Sequence, residues 1–85
     1  MRVDIRLFGA LRDAEPSARL HLDVDGSTVA DLRSAVQAHA DLAWPDPLRA
    51  LLSRSAFASE HSVLRNADPI PADGALALLP PVSGG

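Results

Sequence analysis

Two short stretches of strict alternation constrain this chain more than any other feature. From Arg2 to Phe8, Val3, Ile5 and Leu7 fall on one side, and Arg2, Asp4 and Arg6 on the other. From Arg19 to Val24, Leu20, Leu22 and Val24 oppose Arg19, His21 and Asp23 in the same way. A period of two is that of a strand with one face buried and one face in water. The segment between them, GALRDAEPSA, contains the turn formers Gly, Asp, Pro and Ser. The pair is therefore predicted to form a hairpin with a long connection.

The period then changes. Asp25-Gly26 closes the second strand, and Thr28 with Asp31 is a variant of the capping box that opens a helix. Val29, Leu32, Ala35, Val36 and Ala40 would line one face of that helix. Asp46-Pro47 reads as an N-cap followed by proline at the first helical position, predicting a short helical turn through Leu51. Short strands are expected over 55–59 and 62–65. The turn-rich NADPIPADG follows, and ALALL (Ala75 to Leu79) forms the last strand. The fold class is α+β, a mixed sheet with one main helix packed across one face. In that class the first and last strands are expected side by side at the sheet centre.

Eighty-five residues support a single domain with a modest core, here 1–79, followed by an extended tail, 80–85. No apolar run approaches the roughly 18 residues of a membrane span, and MRVDIRLFG lacks a signal-peptide pattern. A cytoplasmic location without membrane contact is the expectation. The absence of cysteine excludes disulfides, thiolate metal sites and a cysteine nucleophile. A net charge of −3 without a basic cluster argues against nucleic acid and suits a partner with a basic surface.

The chain closes on LLPPVSGG. Pro80 and Pro81 lack a backbone N–H and fix φ, so they end the sheet and start a stiff, extended arm. At roughly 3.3 Å per residue, the arm from Pro80 through Val82, Ser83 and Gly84 to Gly85 reaches about 20 Å. Gly84 and Gly85 remove every side chain from its tip, so the tip fits a narrow channel and presents a carboxylate with little hindrance. Activated by ATP, that carboxylate becomes an acyl phosphate, and sulfur can then replace an oxygen. A sulfur carrier without cysteine has one place to hold sulfur, and that place is Gly85.

This ending and the opening VDIRLFGALRDA resemble those of the small subunits of molybdopterin synthase, the MoaD family of ubiquitin-like β-grasp sulfur carriers. The PPV-S segment makes the likeness more specific than a bare Gly-Gly. The resemblance implies that an ATP-dependent, ubiquitin-activating-type adenylyltransferase adenylates Gly85. A persulfide source then yields the thiocarboxylate. The tail would enter the synthase large subunit and give sulfur to a pyranopterin phosphate, building the molybdopterin dithiolene. Catalytic side chains would belong to the large subunit, so this chain is not an enzyme on its own. No cofactor is bound, and ATP is used by the activating enzyme. Two positions depart from the family pattern: Ser59-Glu60 replaces a frequent Val-Asn, and Asp73-Gly74-Ala75 stands where Gly-Asp-Glu-Val is usual. The alternative recipients are thiamine or cysteine synthesis, or a protein target if the chain is a ubiquitin-like modifier.

Phe8 and Leu79 are out of phase with the core and are expected to face outward, joined by Val63 if its strand lies beside the last one. Scattered surface apolar residues are ordinary, but the resemblance favours a docking patch at the root of the tail. His21, His39 and His61 lack metal-ligand spacing and are expected to be solvated. Ser53, Ser55, Ser59 and Ser62 lie in no nucleophile-elbow motif.

Overall fold

The computed structural model describes residues 1–81. The chain runs β1 (Arg2–Leu7), a 3₁₀ helix (Gly9–Ala14), β2 (Arg19–Asp23), α1 (Val29–Ala43), α2 (Asp46–Leu52), β3 (Ala56–Ala58) and β4 (Ala75–Leu79). The sheet order is β2-β1-β4-β3. β1 and β4 pair in parallel at the centre, as expected, and the two flanking pairs are antiparallel.

Register decides which side chains share a face. Ile5 pairs with Leu20 and Leu76, and Leu78 pairs with Leu7 and Phe57. All six are buried on the face that also carries Val3. Val29, Leu32, Val36 and Ala40 recur at helical spacing on α1 and are each fully buried in the same core cluster. Trp44, Leu11 and Leu52 join the cluster from the end of α1, the 3₁₀ helix and α2, and Val24 and Ile70 complete it.

The start of α1 follows the sequence expectation. The Thr28 hydroxyl accepts from the Asp31 N–H at 3.3 Å, and the Asp31 carboxylate accepts the Thr28 and Ser27 N–H groups, each at 3.1 Å. The backbone N–H of Thr28, then its hydroxyl, then the N–H of Ser27 stabilise the charged carboxylate and hold the Asp31 pKa below its ordinary 3.8. At the other end Trp44 is extended and precedes Pro45, which disfavours a further helical turn.

Several boundaries differ from expectation. β1 stops at Leu7 and β2 at Asp23, and the long connection between them contains a 3₁₀ turn held down by Leu11. The N-cap of α2 is Pro45; Asp46 lies inside the first turn and pairs with Arg49. The strand expected over 55–59 shortens to Ala56–Ala58. No strand forms over 62–65: Val63 makes a single bridge to Ala58. The Ser59 hydroxyl accepts the N–H groups of His61 and Ser62, tightening the turn before it. After one bond from Leu64 N–H to the Phe57 carbonyl, the Arg65 N–H turns to the Asp68 carboxylate and the pairing ends.

Candidate functional site at the root of the tail

β4 is a central strand, and its C-terminal end delivers Pro80 and Pro81, both half-buried, to the molecular surface. Beyond Leu7, the Phe8 N–H still reaches the Leu78 carbonyl at 3.3 Å, bringing Phe8 alongside Leu79. Phe8 is 43% exposed and Leu79 half-buried. The next residue, Gly9, has φ +57°, and a Cβ there would lie 2.7 Å from Cγ of Pro80. Glycine thus permits both the left-handed turn after β1 and the close seat of the tail's first proline. Sequence reasoning missed Gly9, although a glycine directly after an alternating stretch marks a special backbone position.

Val63 is 62% exposed and bridges Ala58, whose partner across the ladder is Ala77. Cross-strand partners share a face, so Phe8, Leu79 and Val63 all belong to the side of the sheet away from the core. Phe8 and Leu79 are neighbours, and Val63 lies at the far edge beyond β3. The remaining sequence candidates, Val82, Ser83, Gly84 and Gly85, lie outside the described residues.

On this uncovered face a depression of about 470 Å³ is lined by Phe8, Ala77, Arg6 and Arg19 towards the tail and by Asp4, Asp73, Glu60 and His61 towards the other end. Both departures from the family pattern contribute to it through Glu60 and Asp73. Asp73 also accepts the Ala75 N–H at 3.0 Å, so it closes the turn into β4. In that turn Gly74 has φ +69°, and a Cβ would come within 2.4 Å of the Arg2 carbonyl oxygen.

The histidines divide. His21 is exposed, 3.4 Å from Asp4 Oδ1, and His61 is exposed beside Glu60. His39 is not solvated as expected: it is half-buried, with Nε2 2.9 Å from Glu15 Oε2. The same oxygen accepts the Trp44 indole N–H at 2.8 Å, tying the connection after the 3₁₀ helix to the end of α1. Tertiary packing brought Glu15 there; no local spacing announces it. Among the described residues, no group of three or more His, Cys, Asp or Glu could hold a metal ion. Ser53 and Ser55 donate to the carbonyls of Ala50 and Leu51, and Ser59 accepts from its own turn. These serines serve backbone turns. Among the described residues, no helix is long and apolar enough to cross a membrane.

Arg33 supports the site from the opposite side of the sheet. Its guanidinium donates to the carbonyls of Leu52 and Ser55 at 3.3 and 3.1 Å and lies 5.1 Å from the Phe57 ring centroid. It clamps α1 to the entry of β3, the strand that flanks β4. The signal was the one arginine in α1, set beside Leu32 on the apolar stripe.

A mixed sheet of order β2-β1-β4-β3, its main helix across one face and its central last strand leading into a Pro-Pro tail, defines a ubiquitin-like β-grasp domain. The crystal structure of SAMP1 from Haloferax volcanii matches it with a TM-score of 0.70 and 28% identity, covering 100% of both chains. The molybdopterin synthase sulfur carrier subunit of Synechococcus elongatus is 43% identical over 82 residues, covering 92% of this chain and 90% of the relative. A model of the ThiS family matches residues 5–85. The chain belongs to the ThiS family and is a sulfur carrier of the MoaD type.

Proposed function

We propose that this chain is the small subunit of a molybdopterin synthase and acts in the cytoplasm, delivering sulfur for the dithiolene of the molybdenum cofactor. The observation that carries this reading is the 43% identity, across nearly the whole chain, to a molybdopterin synthase sulfur carrier subunit. The geometry supports it: a central strand leads to the tail, and its root lies beside the exposed Phe8 and the half-buried Leu79.

In this reading Gly85 is the reacting residue. Its carboxylate attacks the α-phosphorus of ATP on a ubiquitin-activating-type adenylyltransferase, releasing pyrophosphate and leaving an acyl adenylate. The outer sulfur of a persulfide then displaces AMP to form an acyl persulfide, and a thiol cleaves its S–S bond, leaving the thiocarboxylate on Gly85 and a disulfide on the donor. The tail enters the large subunit, which supplies the catalytic side chains, and the sulfur passes to the pyranopterin. This chain holds no cofactor of its own; ATP is a substrate of its activating enzyme. Pro80 and Pro81 set the direction of the arm, Val82, Ser83 and Gly84 thread the channel, and Phe8, Leu79 and Val63 make the docking patch.

The test is intact mass spectrometry after co-expression with the adenylyltransferase and a sulfur source. The mass should shift by one oxygen-to-sulfur exchange, located at Gly85. A chain lacking Gly85 should keep its circular dichroism and thermal transition and lose the shift completely. Full sulfur transfer by that folded truncation would refute the assignment.

A further inference from the structure

The uncovered face carries a pair of like charges in register. Arg6 on β1 lies directly opposite Arg19 on β2, and both are exposed. Side chains so placed have Cβ atoms roughly 4.5–5.5 Å apart, and like charges there are destabilising. Compensation within the chain is slight. The nearest carboxylate to Arg19 is Asp4 Oδ2 at 3.9 Å, a distance too long for a hydrogen bond. Among the described residues Arg6 has no carboxylate within ion-pair reach.

The pair sits next to the apolar patch. Arg6 and Arg19 line the same depression as Phe8, while Glu60, Asp73 and Asp4 lie towards the opposite end of β4. The lining of the depression is therefore polarised along the strands, positive near the tail root and negative away from it. A chain of net charge −3 thus presents its partner with a positive element where the tail departs.

We propose that Arg6 and Arg19 form a two-arginine seat for an acidic side chain of the synthase large subunit, docked on Phe8 and Leu79. The inference rests on the docking reading above. A carboxylate between two guanidiniums relieves their repulsion on binding, so the interaction strengthens only in the complex. Because the opposite end of the face is acidic, the seat also sets how the partner is rotated about the apolar patch.

The experiment measures association of the full chain with the synthase large subunit and with the adenylyltransferase at low and high salt. Arg6→Glu and Arg19→Glu should each slow association with the large subunit about fivefold or more at low salt, and the effect should shrink towards high salt. Arg6→Glu places an acid opposite Arg19 and so preserves the fold, as circular dichroism will report. It carries the test if Arg19→Glu folds poorly. Arg2→Glu, at the far end of the same strand, should leave the rate within about twofold. Unchanged rates with the large subunit overturn the proposal, including the case in which only the adenylyltransferase is slowed. Equal slowing by Arg2→Glu also overturns it, by reducing the effect to net charge. If the wild-type chain binds neither partner, the docking reading fails first and takes the inference with it.

Discussion

The two faces of the sheet are made by the same four strands, yet they are built to different rules. The covered face presents Val3, Ile5, Leu7, Leu20, Phe57, Leu76 and Leu78, all buried in the core that α1 completes. The other face presents Asp4, Arg6, Arg19, His21 and the small Ala75 and Ala77, with large apolar side chains, among the described residues, at Phe8, Leu79 and Val63. Burial explains the first set, because each side chain removed from water stabilises the fold. It does not explain the second. An apolar residue left exposed beside the exit of the tail gains little from folding, and it is this residue that the proposed docking would use.

Variants can break or sharpen this contrast. The largest loss of stability is expected on the covered face. Leu78→Ala removes a fully buried side chain between Leu7 and Phe57 and should cost about 3 kcal/mol in chemical denaturation. A cost near zero would mean that α1 does not seal this face. Gly74→Ala comes next, at about 2 kcal/mol, because it combines a positive φ with a Cβ pressed against the Arg2 carbonyl oxygen. Since that turn sets the register of β4 against β1, hydrogen exchange at Asp4, whose N–H bonds the Gly74 carbonyl at 2.8 Å, should accelerate.

Asp31→Asn should have a smaller effect with a distinct pH signature. The folded state lowers the Asp31 pKa, so its charged form contributes stability fully above the ordinary carboxylate range. That contribution is lost as pH falls through the folded value. The variant should therefore melt below the wild type at neutral pH, and the two should converge in strong acid. A constant gap across the whole pH range would show that the capping box acts without charge.

The smallest stability change is expected for Phe8→Asp, within about 1 kcal/mol, since the ring is already 43% exposed. Binding should move in the opposite sense, weakening at least about tenfold by titration calorimetry with the docking partner. A variant that melts with the core would place Phe8 on the stabilising side of the comparison. Unchanged affinity would remove it from the docking patch.

Much of this protein is written in local pattern. The alternations around Val3-Ile5-Leu7 and Leu20-Leu22 name their own buried faces, because a strand's side chains switch sides at every residue. Thr28 and Asp31 start α1 through bonds that span three residues and need nothing distant. Pro80 and Pro81 end β4 because no proline can donate to a central ladder. The family, too, is legible in the ending LLPPVSGG and the opening VDIRLFGALRDA.

What the sequence left undecided depended on contacts between residues far apart in the chain. The stretch 62–65 has strand composition, but the Ser59 turn and the Arg65–Asp68 turn leave room for one bridge only. His39 looks like a solvated helical residue until Glu15, 24 positions earlier, is placed against it together with Trp44. Gly9 is an unremarked residue of a connection until Pro80 arrives at its Cα. The Arg6–Arg19 opposition exists only because the hairpin register sets one beside the other. Alternation, capping and chain termination act over a few residues and are therefore determined by sequence alone. The seat of the tail and the charge of its surroundings are set by strand order and register, which only the packed core fixes.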